Sequence, residues 1–294
     1  MQKIRHIARV IKSQPTLEGA GVHLKRAFGF GNTDLFDPFL LLDDFRSDNP
    51  AHYMKGFPWH PHRGIETITY VIDGQVEHGD SLGISGVISS GDIQWMTAGS
   101  GIIHQEMPKG DEAGRMGGFQ LWANLPADEK MTQPRYRDVT QDQIPEVVLE
   151  NGTTIKIICG KAYGKQGPVE DIFIDPSYLD IRIPPGHVFT HPTQQGHTVF
   201  AYIIEGQGVF GPNVIVSSAQ EDDDTANRIS NETLVLFSDG SQVTVSTKSN
   251  AVRFLLISGK PIREPVAWQG PIVMNTQEEL RIAFEEYQSG TFIK

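Results

Sequence analysis

The sequence predicts an all-β protein made of two β-domains of sandwich or barrel type, with a short helix at the C-terminus. Three observations carry that expectation. Short alternating or apolar runs rich in Val, Ile, Thr and aromatic residues recur along the chain, broken about every ten residues by Gly, Pro, Asn or Asp. Helix signals are few, the clearest lying near the C-terminus. One stretch of the chain repeats itself weakly at an offset of 132 residues.

The strand-like runs cover residues 67–72, 86–89, 93–96, 118–123, 155–159, 178–183, 199–204, 233–237, 242–245 and 252–257. Many short strands with turn signals between them argue against a parallel sheet with crossover helices. The helix follows Asn275: Thr276 and Glu279 have capping-box spacing, Leu280, Ala283, Phe284 and Tyr287 fall on one face, and Gly290 is a stop signal. An apolar stripe on a terminal helix predicts docking onto the sheets.

The repeat pairs Thr69-Tyr70-Val71-Ile72-Asp73-Gly74-Gln75 with Ala201-Tyr202-Ile203-Ile204-Glu205-Gly206-Gln207. Two copies of one β-domain follow. The seam falls in the proline-containing stretch 126–145, which divides the chain into residues 1–135 and 136–294.

Within the first copy, Trp59-His60-Pro61-His62-Arg63-Gly64 is answered about forty residues later by Gly99-Ser100-Gly101-Ile102-Ile103-His104-Gln105-Glu106. Each half offers two metal-binding side chains one residue apart. On a strand, residues i and i+2 face the same way, roughly 6.5–7 Å apart, so both can reach one ion. On a helix the same pair diverges. His60 and His62 on one strand, with His104 and Glu106 on its neighbour, would bring three imidazoles and a carboxylate together. That donor set suits a divalent first-row ion with open positions, a catalytic rather than a structural pattern. Fe(II) is the first choice; Ni, Co, Mn, Cu and Zn remain open. Gly91 precedes the run 92–96, and Gly99 and Gly101 permit the tight turn into the second ligand strand. At the same offset the second copy has Pro192 for His60 and Gln194 for His62, and no histidine follows His197, so one metal site is expected, in the first domain.

Other residues carry structural expectations. Arg63 reads as an ion-pair partner. Asp43 and Asp44 read as a strand end, with bracing of a ligand histidine as the alternative. His187, His191 and His197 read as loop or rim residues, Glu221 to Asp224 as a solvated loop, and Lys109 to Gly114 as a loop able to cover a pocket mouth.

Composition excludes several classes. The net charge of −11, from 25 Lys and Arg against 36 Asp and Glu, opposes binding to nucleic-acid phosphates or anionic lipid. The N-terminal residues interrupt their apolar character too often for a signal peptide, and no apolar run has bilayer length. The lone Cys159 cannot form an internal disulfide and reads as a buried inert thiol. Two glycosylation sequons, at Asn151 and Asn231, read as chance matches. A cytoplasmic monomer is expected.

These residues together resemble the pirin family of the cupin superfamily. The resemblance is carried by Asp37-Pro38-Phe39-Leu40-Leu41-Leu42-Asp43, by residues 57–67 and 94–108 around the two ligand pairs, by Gln120-Leu121-Trp122, and by Gly270-Pro271-Ile272-Val273-Met274-Asn275-Thr276. It implies a bicupin, two jelly-roll β-barrel domains, with one metal in the N-terminal domain held by His60, His62, His104 and Glu106. Glu66, where other cupins place a ligand glutamate, becomes a residue behind the ligands. The resemblance further implies quercetin 2,3-dioxygenase activity on a flavonol or similar small aromatic substrate, with Glu106 as the catalytic residue that accepts the proton or orients the anion. The alternative it implies is a redox-sensitive interaction protein, a transcriptional co-regulator or a modulator of a metabolic enzyme. A metal serving only stability is the third option.

Overall fold

The computed structural model describes residues 3–212 and 228–294. All ten predicted strands are present, each within a strand of equal or greater length. The acidic run 221–224 lies outside the described residues.

The chain divides into two compact units with exchanged ends: residues 14–143 with 262–294, and residues 1–13 with 144–261. This corrects the single cut expected between 135 and 136. Pairing explains the exchange. The N-terminal strand Ile7–Lys12 hydrogen-bonds to Thr233–Phe237 of the second domain. The strand Arg135–Val139, which straddles the expected cut, pairs with Ile93–Thr97 of the first. The C-terminal segment returns to the first domain, where the Val273 N–H donates to the Arg63 carbonyl.

In the first domain a seven-stranded antiparallel sheet runs in the order Arg135–Val139, Ile93–Thr97, Ile65–Asp73, Gly117–Asn124, Phe39–Asp44, Val22–Phe28, Gln14–Glu18. A four-stranded sheet, Phe57–His62, Ile102–Lys109, Gln75–Asp80 and Ser85–Ser89, packs on it. Leu24 and Val71 of the larger sheet meet Val76 and Ile88 of the smaller in one apolar cluster. The alternation of Ile102–Lys109, buried at Ile102, His104, Glu106 and Pro108, shows why the pattern worked: one face of this strand turns inward.

The helix Gln277–Ser289 begins with the expected capping box between Thr276 and Glu279 and ends at Gly290 in the left-handed region. Leu280 and Ala283 are buried against Ala267, Ile272, Met274 and Phe292, so the helix docks as its stripe predicts. Glu286, half-buried near its end, pairs with the buried Arg63 at 2.6 Å. Arg63 also donates to the Ser100 and Phe292 carbonyls and lies over the Phe292 ring, the structural role expected of it.

The second domain repeats the larger sheet strand for strand, in the order Ile7–Lys12, Thr233–Phe237, Thr198–Phe210, Val252–Gly259, Ser177–Ile183, Thr154–Cys159, Glu146–Val148. Its interior is one continuous apolar cluster that includes Ile157, Leu179, Ala201, Val235 and Leu256. Cys159 is buried, and its thiol donates to the Val169 carbonyl.

Candidate metal centre

The strands Phe57–His62 and Ile102–Lys109 are hydrogen-bonded neighbours, with His104 directly opposite His60. That register, with the two-residue spacing of His60 and His62, gathers three imidazoles. Their ligand atoms all lie within 4.8 Å of one another. Nε2 of His60 stands 3.0 Å from Nε2 of His62 and 3.0 Å from Nε2 of His104.

The other ring nitrogens decide the protonation. His60 Nδ1 lies 2.9 Å from the Pro58 carbonyl and His62 Nδ1 lies 3.1 Å from the Pro271 carbonyl. A carbonyl can only accept, so each Nδ1 carries the hydrogen and each Nε2 presents a lone pair. Two lone pairs at 3.0 Å repel unless a cation stands between them. Burial lowers the pKa of His60 and pushes those of His62 and His104 well down; the neighbouring imidazoles add to the effect on His62 and His104. Neutral imidazoles are the form that ligates metal. The site therefore fits a divalent ion by donor type, protonation and spacing.

Glu106 shares the inward face with His104 but stands outside the three-histidine group. Between the two residues the pairing with Phe57–His62 shifts register, and Glu106 lies opposite Phe57. Its carboxylate is buried, which raises its pKa to about 7, and the Thr69 hydroxyl lies 3.2 Å from Oε1.

His60, His62 and Glu106 line a cavity of about 560 Å³. Leu24, Phe45, Val76, Trp122 and Trp268 supply apolar wall, and Arg26, Asp43, Thr69 and Gln120 supply polar wall. Trp122 packs edge-on against His62, with ring centroids 5.1 Å apart. The volume and mixed lining are those of a small-molecule site.

The supporting residues divide into those the sequence indicated and those it hid. Gly99, at φ 52°, makes the turn before the His104 strand; a Cβ there would meet the Thr132 carbonyl oxygen at 2.1 Å. Asp43 and Asp44 do end a strand, with Asp43 held by Arg26 and Asp44 by Arg46. Glu66 is fully buried and accepts from Thr97 at 2.6 Å. His191 corrects the rim expectation, since it is buried in the strand Val188–Pro192, where desolvation lowers its pKa to about 4.

Sequence reasoning missed His78 and Asp80, which lie opposite Glu106 and His104 on the strand Gln75–Asp80. Both are buried, and His78 contacts Gln94 at 3.0 Å. The same alternate-residue spacing that exposed His60 and His62 was present in His78-Gly79-Asp80. Lys130 was also missed. Its buried ammonium donates to the carbonyls of Gly64 and Val273 and to Asn124 Oδ1, at 2.8, 3.0 and 2.7 Å. It thereby fixes the end of the His60 strand to the segment that carries Pro271.

Two jelly-roll domains in one chain, the first with a three-histidine cluster beside its cavity, define a bicupin. The chain belongs to the pirin family. The Pirin family profile matches residues 21–123, and the Pirin C-terminal cupin domain profile matches residues 178–293. A pirin-like protein of Caulobacter vibrioides is 43% identical over 290 residues, covering 98% of this chain and 99% of that one. The Acinetobacter baumannii crystal structure described as quercetin 2,3-dioxygenase superposes with a TM-score of 0.86 at 30% identity, covering 98% of each chain. An Escherichia coli pirin solved with nickel(II) shares the fold, at TM-score 0.63 and 20% identity, over 86% of this chain and 98% of that one. Among the described residues, no helix is long and apolar enough to cross a membrane.

Proposed function

We propose that this protein is a metal-dependent dioxygenase that opens the ring of a flavonol at a mononuclear centre formed by His60, His62, His104 and Glu106, with Fe(II) as the preferred ion. The observation that carries the reading is the convergence of three neutral imidazoles, two of which line a largely apolar cavity that also contains a buried carboxylate. A bound divalent ion would supply Lewis acidity to the substrate's 3-hydroxyl oxygen and lower its pKa.

The chain's own residues do the rest. Glu106, buried and with a pKa near neutrality, accepts the 3-hydroxyl proton. Thr69 orients its carboxylate. Trp122 and the apolar wall exclude water and hold the flat ring system beside His62. The electron-rich ring then takes up one dioxygen, two ring carbon–carbon bonds break, and carbon monoxide leaves. The test is aerobic incubation of the metal-loaded protein with quercetin, the ions compared one at a time. Loss of flavonol absorbance with carbon monoxide release is expected; unchanged absorbance and no carbon monoxide would sink the reading.

One observation favours a second reading, a metal-dependent interaction protein: Trp59, next to His60 in sequence, is half exposed at 52%. A partner engaging Trp59 would sense the state of the centre. Pull-downs with metal-free, Fe(II) and Fe(III) forms should then recover different proteins. Identical recoveries exclude it.

A further inference from the structure

The inner face of the larger sheet in the first domain carries an unbroken row of polar side chains. Asp138 lies opposite Gln94, Gln94 opposite Thr69, Thr69 opposite Gln120, Gln120 opposite Asp43 and Asp43 opposite Arg26, one residue from each of six adjacent strands. Directly opposed residues of antiparallel strands project to the same face. Polar contacts run along the row: Gln94 donates to Asp138 at 2.9 Å, the Thr69 hydroxyl stands 2.6 Å from the Gln120 side chain, and Arg26 donates to both oxygens of Asp43 at 2.8 and 2.7 Å.

The second domain shows that the fold does not require this row. Thr69 corresponds to Ala201 in the internal repeat, and pairing outward from Ala201 gives Val10, Val235, Ala201, Leu256, Leu179 and Ile157 in the same six strand positions. Every one is apolar. Replacing a buried ion pair by apolar residues is often neutral or stabilising, so retention of Arg26 and Asp43 needs a reason other than folding. The cavity supplies one, because Arg26, Asp43, Gln120 and Thr69 all line it.

We propose that Asp43, clamped by Arg26, is the specificity-determining acceptor for hydroxyl groups at the end of an aromatic ligand remote from the histidines. The inference rests on the flavonol reading and names which flavonols the site selects. Each Asp43 oxygen accepts one Arg26 donor and keeps a free lone pair, so two adjacent phenolic hydroxyls match the two oxygens. Arg26 is itself committed, since its remaining terminal nitrogen pairs with Glu18 at 2.9 Å. The wall therefore favours a neutral donor over an anionic ligand. Asp43 stands two strand spacings from Thr69, about 10 Å, which is the reach of a fused bicycle bearing an aryl ring whose other end lies at Glu106.

The test is anaerobic binding to the purified metal-containing protein, read by tryptophan fluorescence quenching. Four flavonols that differ only on the pendant ring are compared: unsubstituted, 4′-hydroxy, 3′,4′-dihydroxy and 3′,4′-dimethoxy. Affinity should rise stepwise with hydroxyl number, about tenfold from unsubstituted to dihydroxy, the scale of a hydrogen bond to a charged group. The dimethoxy compound should bind no better than the unsubstituted one. Asp43→Asn, which offers an amide in place of one oxygen, should abolish the preference, so that the dihydroxy and unsubstituted flavonols bind it alike. Equal affinities in the unmodified protein, or a preference that survives in Asp43→Asn, overturn the proposal. Discrimination without turnover would refute the dioxygenase reading alone, and turnover without discrimination would refute this inference alone.

Discussion

Thr69 and Ala201 occupy the same position in two copies of one fold, yet Thr69 contacts a buried carboxylate while Ala201 lies in an apolar core. A chemical difference between the domains thus passes through one aligned position. Thr69→Val keeps the shape and removes the hydroxyl. Because Glu106 and Gln120 lose the hydroxyl as a partner, stability should fall by about 1–3 kcal/mol. Activity should fall about tenfold, the usual effect of losing a hydrogen bond that orients a carboxylate of the site. Thermal melting together with steady-state kinetics checks both; a large loss of stability with unaltered turnover would contradict the orienting role.

The facing lone pairs of His60 and His62 lead to a second prediction. A divalent ion relieves their repulsion only in the folded state, so it must stabilise the fold. At one hundred times its Kd the gain is about 2.7 kcal/mol. Chelation should lower the melting temperature, and re-addition of the ion should restore it. His60→Ala leaves two imidazoles that no longer share a neighbour within 3.0 Å, and its metal content should drop well below one per chain. Elemental analysis after dialysis measures this, and stoichiometric metal in the variant would place the ion elsewhere.

Much of this site was legible in the sequence because strand periodicity is two. Alternation alone marked His60, His62 and His104, which do come together, and put Glu106 on the same inward face, outside that group; the repeat pointed to the first domain, where the one three-histidine group among the described residues lies. What remained hidden depends on partners distant in sequence. Nothing near Lys130 signals that its ammonium ends among backbone carbonyls 66 and 143 residues away. The exchanged ends were equally hidden, because Ile7–Lys12 looks like any short strand and its pairing with Thr233–Phe237 is set by tertiary contacts. The polar row required the register of six strands, and no single stretch of sequence contains it.

Gly64 tests how closely the C-terminal segment must approach the ligand strand. Its φ is 76°, and a Cβ would sit 2.0 Å from the Val273 carbonyl oxygen, a backbone atom that cannot move without displacing the segment bearing Pro271. Gly64→Ala should destabilise by more than the roughly 1 kcal/mol of left-handed strain alone. It should also weaken metal binding, because the Pro271 carbonyl orients His62. Metal titration followed by calorimetry separates the two effects. An alanine variant with native stability and affinity would show that the close approach is unimportant.

Lys130 gives a prediction with a sign. Burial lowers its pKa from 10.5 to about 7, with Glu264 and Glu279 opposing the shift. Between those values the unfolded chain binds the proton more tightly than the folded one, so stability rises with pH across about 7 to 10.5 and is lost as pH falls back toward 7. Other groups titrate in the same range, so the difference between the protein and Lys130→Met isolates the effect. The methionine leaves the acceptors on Gly64, Val273 and Asn124 without their donor, which costs about 1–3 kcal/mol near neutrality. The gap between the two proteins should then widen as pH is raised, at most about 1.4 kcal/mol per unit. Urea unfolding at pH 7, 8, 9 and 10 measures it. A gap independent of pH would mean that Lys130 stays fully charged inside the fold, with its three acceptors offsetting the desolvation.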